Sequence, residues 1–298
     1  MAEISDVTKN TYQMTFSTLE QQMGSKLQDA VIRENVEGEF YFTDSQEAAD
    51  FIETFTRNAD TVNQDLTFER RRLGLRRFNY APMIDSFDKI ALINDPTFAA
   101  TSNALYGAGR RKDALIVEAA YGTTYGSYDN STSFVYDTNN TIAVNEGGAG
   151  NVGLTVEKLR AMAEIFEAAD VPDEIPKFIA GTAKQKRDLL ASTEVTSADY
   201  ASVKALVHGV VDSFMGFTFI WVNGSVDGAK IIPVDGSGYR RVLAWAQDGL
   251  TLGVGKDVAT DIQIRVDKNN SYQLWHEMFI GANRTSEKKV GSILCSEV

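Results

Sequence analysis

Three groups of residues in this 298-residue chain have types and spacing that could do chemistry. The first is Gly148-Ala149-Gly150-Asn151-Val152-Gly153, which matches G-x-G-x-x-G, follows an apolar segment and precedes a helical pattern. In a dinucleotide site such glycines let the backbone approach a pyrophosphate at a helix N-terminus. That site also needs an acid at the carboxyl end of the next strand to hold a ribose. Here Asp173 and Glu174 come before the strand-like Phe178-Ile179-Ala180, and Glu146 puts a carboxylate where phosphates would approach. A nucleotide-binding enzyme built on residues 148–153 is therefore a distant alternative, and a flexible glycine-rich loop is the reading the context favours.

The second group is small. His208 and His276 are the only histidines, and neither has a Cys, Ser or second His at metal-ligand or triad spacing. Cys295, the only cysteine, has no cation within four residues to lower its pKa and allows no internal disulfide, which fits a reducing compartment. These residues supply no catalytic set, so the chain is read as a non-enzyme with no cofactor and no metal.

The third group is a sorted set of charges. Residues 36–66 carry Glu37, Glu39, Asp44, Glu47, Asp50, Glu53, Asp60 and Asp65 against Arg57 alone, whereas residues 67–80 carry Arg70, Arg71, Arg72, Arg76 and Arg77 against Glu69 alone. Guanidinium forks suit carboxylates, so the acidic arm can pair with the basic arm of its own chain or with that of a neighbouring copy. Phe68, Phe78 and Tyr80 flank the arginines, as a single-strand nucleic-acid binder would require. The net charge of −12 and pI near 4.7 argue against a surface that grips phosphates. No run of about 18 apolar residues marks a membrane span, and no signal peptide opens the chain.

The charged segment reads as a long hairpin, with extended arms around residues 39–43 and 67–80. Before it, Phe16, Leu19, Met23, Leu27 and Val31 recur at helical steps over residues 13–34, which predicts an amphipathic helix packed on its own core or on a neighbouring chain. After it, Asp95-Pro96 starts a helix expected over residues 96–121, on the order of 40 Å long. Phe98, Ala104, Leu105, Ala108, Leu115, Ile116, Ala119 and Ala120 form its stripe, with Lys112 as the charged intruder. Gly107 and Gly109 weaken its middle, so a bend or a close neighbour is expected there. A hairpin follows over residues 134–144, then helices over 154–169, 183–190 and 198–207, and strands from residue 210 to the end. The layout is α+β.

Together, Ile84-Asp85-Ser86-Phe87-Asp88, Asn94-Asp95-Pro96, Ala119-Ala120-Tyr121-Gly122, Ala205-Leu206-Val207-His208-Gly209, Phe214-Met215-Gly216-Phe217 and Gly281-Ala282-Asn283-Arg284 resemble, in order and spacing, the major capsid proteins of tailed bacteriophages. The resemblance covers nearly the whole chain from about Phe16 onward. It implies the Johnson fold, with an N-terminal arm (residues 1–35), an extended loop (36–82), a peripheral domain with a long spine helix (83–123 and 250–298) and an inserted axial domain (124–249). It further implies a structural protein that self-assembles through pentamers and hexamers into the icosahedral head around double-stranded DNA, located in the virion and assembled in the host bacterial cytoplasm. A nanocompartment shell of the same fold is the alternative. Implied partners are other copies, a separate scaffolding protein, a portal and a decoration protein, with packaged DNA contacted weakly and no membrane. Some members cross-link a loop lysine to an asparagine; no lysine lies between Lys26 and Lys89, so no such bond is expected. Intersubunit loop contacts are assigned instead to Arg70, Arg71, Arg72, Arg76, Arg77, Glu47, Asp50 and Glu53, and arm contacts to Phe16, Leu19, Met23 and Leu27.

Overall fold

The computed structural model describes residues 20–49, 51–53, 55, 57, 60, 63–85, 97–148, 150–191 and 213–297. Its longest element is the spine helix Thr97–Tyr121, which runs unbroken through Gly107 and Gly109 for about 37 Å. Leu115, Ile116, Val117 and Ala120 share one core with Leu250, Leu252, Val254, Met278 and Ile280. Those partners lie on a long antiparallel hairpin, Leu250–Arg265 with Ser271–Arg284, closed by Asn269 and Asn270 in the left-handed region. Strand Ile32–Asn35 pairs in parallel with residues 251–254, while Arg76–Tyr80 and Met83–Ile84 pair with the other arm of the hairpin. This hairpin is the sheet on which the spine lies. Leu105, however, is 47% exposed and lies off the buried face.

A six-stranded sheet follows, in the order Ser213–Phe214, Phe217–Trp221, Lys177–Gly181, Arg240–Ala246, Val290–Cys295 and Thr141–Ile142. Its central strand shows why it is buried on both faces. Leu243 and Trp245 join the core shared with the spine, while Val242, Ala244 and Ala246 join a second core with Leu159, Met162 and Phe166 of helix Val156–Ala168. Two-residue alternation thus couples two cores through one strand. The helix begins where Thr155 Oγ1 accepts from the Lys158 amide, and a third helix, Ala183–Leu190, starts with the Thr182–Gln185 capping box.

Several expectations are corrected. Residues 20–34 are not helical: they form an irregular strap, a 3₁₀ turn at Gln28–Ala30 and the start of the strand. Tertiary contacts override the helical period there, because Asp113 on the spine draws off the strap's backbone amides. Leu27 is buried in the core of its own chain and Met23 is 69% exposed, while Phe16 and Leu19 lie outside the described residues. Residues 134–144 do not pair with each other: Ser133–Phe134 pairs with Thr124–Tyr125, and Thr141–Ile142 runs parallel to Val290–Cys295. That last strand belongs to the mid-chain sheet, so a boundary at residue 250 does not separate the two sheets. The helix expected over residues 198–207 lies outside the described residues.

Candidate assembly interface

The extended loop is a real hairpin, with Phe40–Gln46 antiparallel to Phe68–Gly74 and its base continued by Thr124–Tyr125. Its register sets Asp44 opposite Arg70, and the guanidinium makes a two-pronged contact at 2.7 and 2.9 Å. That hydrogen bond holds the Asp44 carboxyl below its usual range. Both groups are exposed, so the pair adds little stability.

Arg71 behaves differently. It is 1% exposed and donates to both oxygens of Glu287 and to Glu69, all at 2.5 Å, with its guanidinium 3.6 Å over the Phe134 ring. Glu287 also accepts from Arg284, which is fully buried and donates to the carbonyls of Ala120, Gly122 and Phe134. Burial alone would raise the Glu287 carboxyl, but the Arg71 hydrogen bond and the two guanidinium charges hold it below its usual range. This Arg–Glu–Arg cluster locks the loop base to the last turn of the spine helix, where free carbonyls need donors. It removes Arg71 from the set of cations open to a neighbour. The sequence signal was the separation of Arg71 and Arg284 by over 200 residues, which spacing rules do not read.

The other loop arginines also have partners within the chain. Arg72 donates to the Tyr128 carbonyl at 2.5 Å and to Asn130, Arg76 to Glu118 at 2.8 Å and Arg77 to Glu277 at 2.9 Å. Glu47 and Glu53 are exposed; Asp50 lies outside the described residues. Composition did not single out the apolar tip. Phe51, Ile52, Phe55, Leu66 and Phe68 are between 55% and 104% exposed around these acids. Burying one such side chain is worth about 1.5–3 kcal/mol, so the tip holds an exposed apolar patch that gains by being covered. The clustering of Phe51, Ile52 and Phe55 in an otherwise polar stretch was the available signal.

A second junction fixes the N-terminal strap to the spine. The buried Asp113 carboxylate accepts from Gln22 Nε2 and Ser25 Oγ at 2.5 Å and from the Lys26 and Leu27 amides at 3.0–3.1 Å. Beside it, a Cβ on Gly109 would sit 2.2 Å from the Gly24 carbonyl carbon, so glycine is required for this crossing. A Cβ on Gly107 would meet only the Arg110 guanidinium, at 3.8 Å. Lys112, the intruder in the stripe, is buried and reaches Asp257 at 2.7 Å.

The remaining sequence candidates have structural roles. In the glycine motif, a Cβ at Gly153 would lie 2.2 Å from an Asp188 carboxylate oxygen, and the buried Lys158 ammonium donates to the Val152 and Leu294 carbonyls at 2.9 and 2.7 Å. The lysine holds the loop's main chain rather than facing an open phosphate site. Burial pushes the Cys295 thiol up to about 12 and lowers the His276 imidazole, whose Nδ1 lies 2.9 Å from Thr260 Oγ1. His208 lies outside the described residues. Among the described residues, no cluster of His, Cys, Asp and Glu is arranged to hold a metal, and no helix is long and apolar enough to cross a membrane.

Comparison with known proteins gives a consistent family. The family model described as phage capsid protein matches residues 4–297. The capsid protein of cyanophage P-SCSP1u superposes with a TM-score of 0.71 at 11% identity, covering 99% of this chain and 94% of that one. The capsid protein of cyanophage Pam1 also gives a TM-score of 0.71, at 12% identity and 99% and 98% coverage. That of Helicobacter pylori bacteriophage KHP30 gives 0.66 at 10% identity, with 99% and 98% coverage. No curated protein matches in sequence.

Proposed function

The chain belongs to the phage capsid protein family, and on that premise we propose that it is the major subunit of a tailed-phage head, self-assembling into an icosahedral shell around double-stranded DNA. Its role is structural rather than catalytic. The observation that carries the reading is the exposed apolar tip of the extended loop, held out on a ladder whose base is locked by Arg71, Glu287 and Arg284. A lone subunit leaves that surface in water; a neighbouring copy covers it.

In this reading the N-terminal arm spans residues 1–35, the extended loop 36–82, the peripheral domain 83–123 with 250–289, and the axial domain 124–249 together with the strand Val290–Cys295. Arg70, Arg72, Arg76 and Arg77 lie around the intersubunit seam with Glu47, Asp50 and Glu53. Gly107 is the position where the spine bends as subunits adapt to different environments. The excess of acidic charge keeps packaged DNA from sticking to the shell. A separate scaffolding protein guides closure, a portal occupies one vertex, and assembly takes place in the bacterial cytoplasm.

The test is assembly of the purified chain, with and without scaffold, followed by sizing, electron microscopy and nuclease protection of enclosed DNA. Changing both Phe51→Ser and Phe55→Ser is expected to leave the subunit folded and abolish closed shells. Normal shells from that double variant would remove the loop tip from the seam. A wild-type chain that stays monomeric at high concentration with scaffold present would overturn the shell assignment.

A further inference from the structure

Where the last turn of the spine meets the six-stranded sheet, Arg241 of strand Arg240–Ala246 packs on two tyrosines. Its guanidinium carbon lies 3.7 Å from the centre of the Tyr121 ring and 5.0 Å from that of Tyr136. Both rings are fixed. They meet edge to face at 5.6 Å, the Tyr121 hydroxyl donates to the Arg241 carbonyl at 3.2 Å, and the Tyr136 hydroxyl donates to the Asn140 carbonyl at 3.0 Å. Arg241 is half-buried rather than sealed, yet its N–H groups meet no acceptor among the described residues. Every other arginine in a described helix or strand reaches a carboxylate, amide or carbonyl oxygen of its own chain. We propose that Arg241 is a carboxylate-binding site for a second copy of the chain, its guanidinium fork taking the two oxygens of an aspartate or glutamate of that copy. The inference rests on the shell reading and names one ion pair of its seam.

Three observations point to this occupant. A guanidinium held against rings has already lost the rotamer freedom that makes most exposed ion pairs weak, so an arriving carboxylate forms both hydrogen bonds at little further ordering cost. The local charge is also unbalanced. Arg284 packs on the same Tyr136 ring at 5.8 Å and shares Glu287 with Arg71, so Arg71, Arg241 and Arg284 stand against two carboxylates, Glu69 and Glu287, leaving one positive charge uncompensated. The chain itself supplies the opposite sign, since 41 acids against 29 lysines and arginines mean that a neighbouring copy presents carboxylates in excess. A DNA phosphate also fits a guanidinium fork. One free cation on an acidic subunit gains little from it, because affinity for DNA grows with the number of phosphates neutralised.

The test uses the full-length chain carrying Arg241→Lys, which keeps a cation against Tyr121 but offers no fork. The unassembled variant is expected to unfold in urea at the wild-type midpoint. The subunit concentration for half-maximal assembly is expected to rise about tenfold, equivalent to about 1.4 kcal/mol of lost pairing. A folded Arg241→Lys subunit that assembles at the wild-type concentration overturns the site. So does an assembly loss matched by an equal loss of stability in the free subunit, which would make the arginine a structural one. A high-resolution reconstruction of wild-type shells decides even where the variant does not fold. Carboxylate oxygens of a neighbouring copy within about 3 Å of the Arg241 nitrogens support the proposal; water alone, a DNA phosphate or a carboxylate of the same chain overturns it. Wild-type chain that never closes into shells sinks the shell reading and the site together, whereas normal shells from Arg241→Lys sink only the site.

Discussion

Gly109→Ala isolates the junction between the N-terminal strap and the spine. In an isolated helix this change is favourable by about 1 kcal/mol. Here the added Cβ falls 2.2 Å from the Gly24 carbonyl carbon and 2.5 Å from the Ser25 nitrogen, whereas real Cβ contacts essentially never fall below 3.0 Å. The strap must retreat by the difference, about 0.8 Å, and the Lys26 and Leu27 amides now 3.0–3.1 Å from Asp113 then move to nearly 3.9 Å. Each hydrogen bond to a charged group is worth about 1.5–3 kcal/mol, so losing both costs about 3–6 and the net destabilisation is about 2–5 kcal/mol. Gly107→Ala is the control, since its Cβ meets only a mobile guanidinium at 3.8 Å, and it should gain up to about 1 kcal/mol. Urea denaturation of the unassembled subunits measures both. A Gly109→Ala subunit as stable as wild type would refute the steric reasoning outright, because no other feature of the site offsets the clash.

Two further outcomes follow from the loop base. Arg71→Ala leaves Glu287 with one guanidinium fewer and should cost about 3–5 kcal/mol, whereas Arg70→Ala, at an exposed pair, should cost less than about 1 kcal/mol; equal losses in a denaturation series would show that Arg71 is not the lock. Glu287 ionises below its usual value of 4.5 in the folded chain, so its contribution is fully present above that value. As pH falls, the unfolded chain binds the proton first and the contribution is lost through the lower folded value. Stability measured from pH 6 to pH 3 should therefore fall, and Glu287→Gln should flatten that slope; an unchanged slope would remove Glu287 from the acid response.

Much of the frame was legible because its signals are local. The spine's apolar stripe, the Thr155 cap, the helix at Ala183–Leu190 and the loop hairpin each depend on residues close in sequence, while the expected spine cap Asp95-Pro96 lies outside the described residues. What was not legible depends on partners far away. The strap keeps a helical period at Met23, Leu27 and Val31, yet Asp113, more than 80 residues on, captures its amides and makes it irregular. Val290–Cys295 continues an alternating run and looks like the next strand of the hairpin sheet, yet it pairs with Arg240–Ala246. The arginine cluster was visible as charge, but spacing could not tell the buried Arg71 from the exposed Arg70 one residue before it. Two-residue alternation does separate them by face, once the pairing of the strand is known.

The satisfaction of those arginines changes where cohesion between subunits must come from. A chain with a net charge of −12 repels its copies, and exposed ion pairs already closed within one subunit gain little when a second arrives. Binding energy then has to reside in groups that a single subunit leaves unsatisfied. The structure has such groups at the tip of the extended loop, where Phe51, Ile52 and Phe55 stand exposed to water. Their burial supplies non-directional attraction, which does not depend on charge.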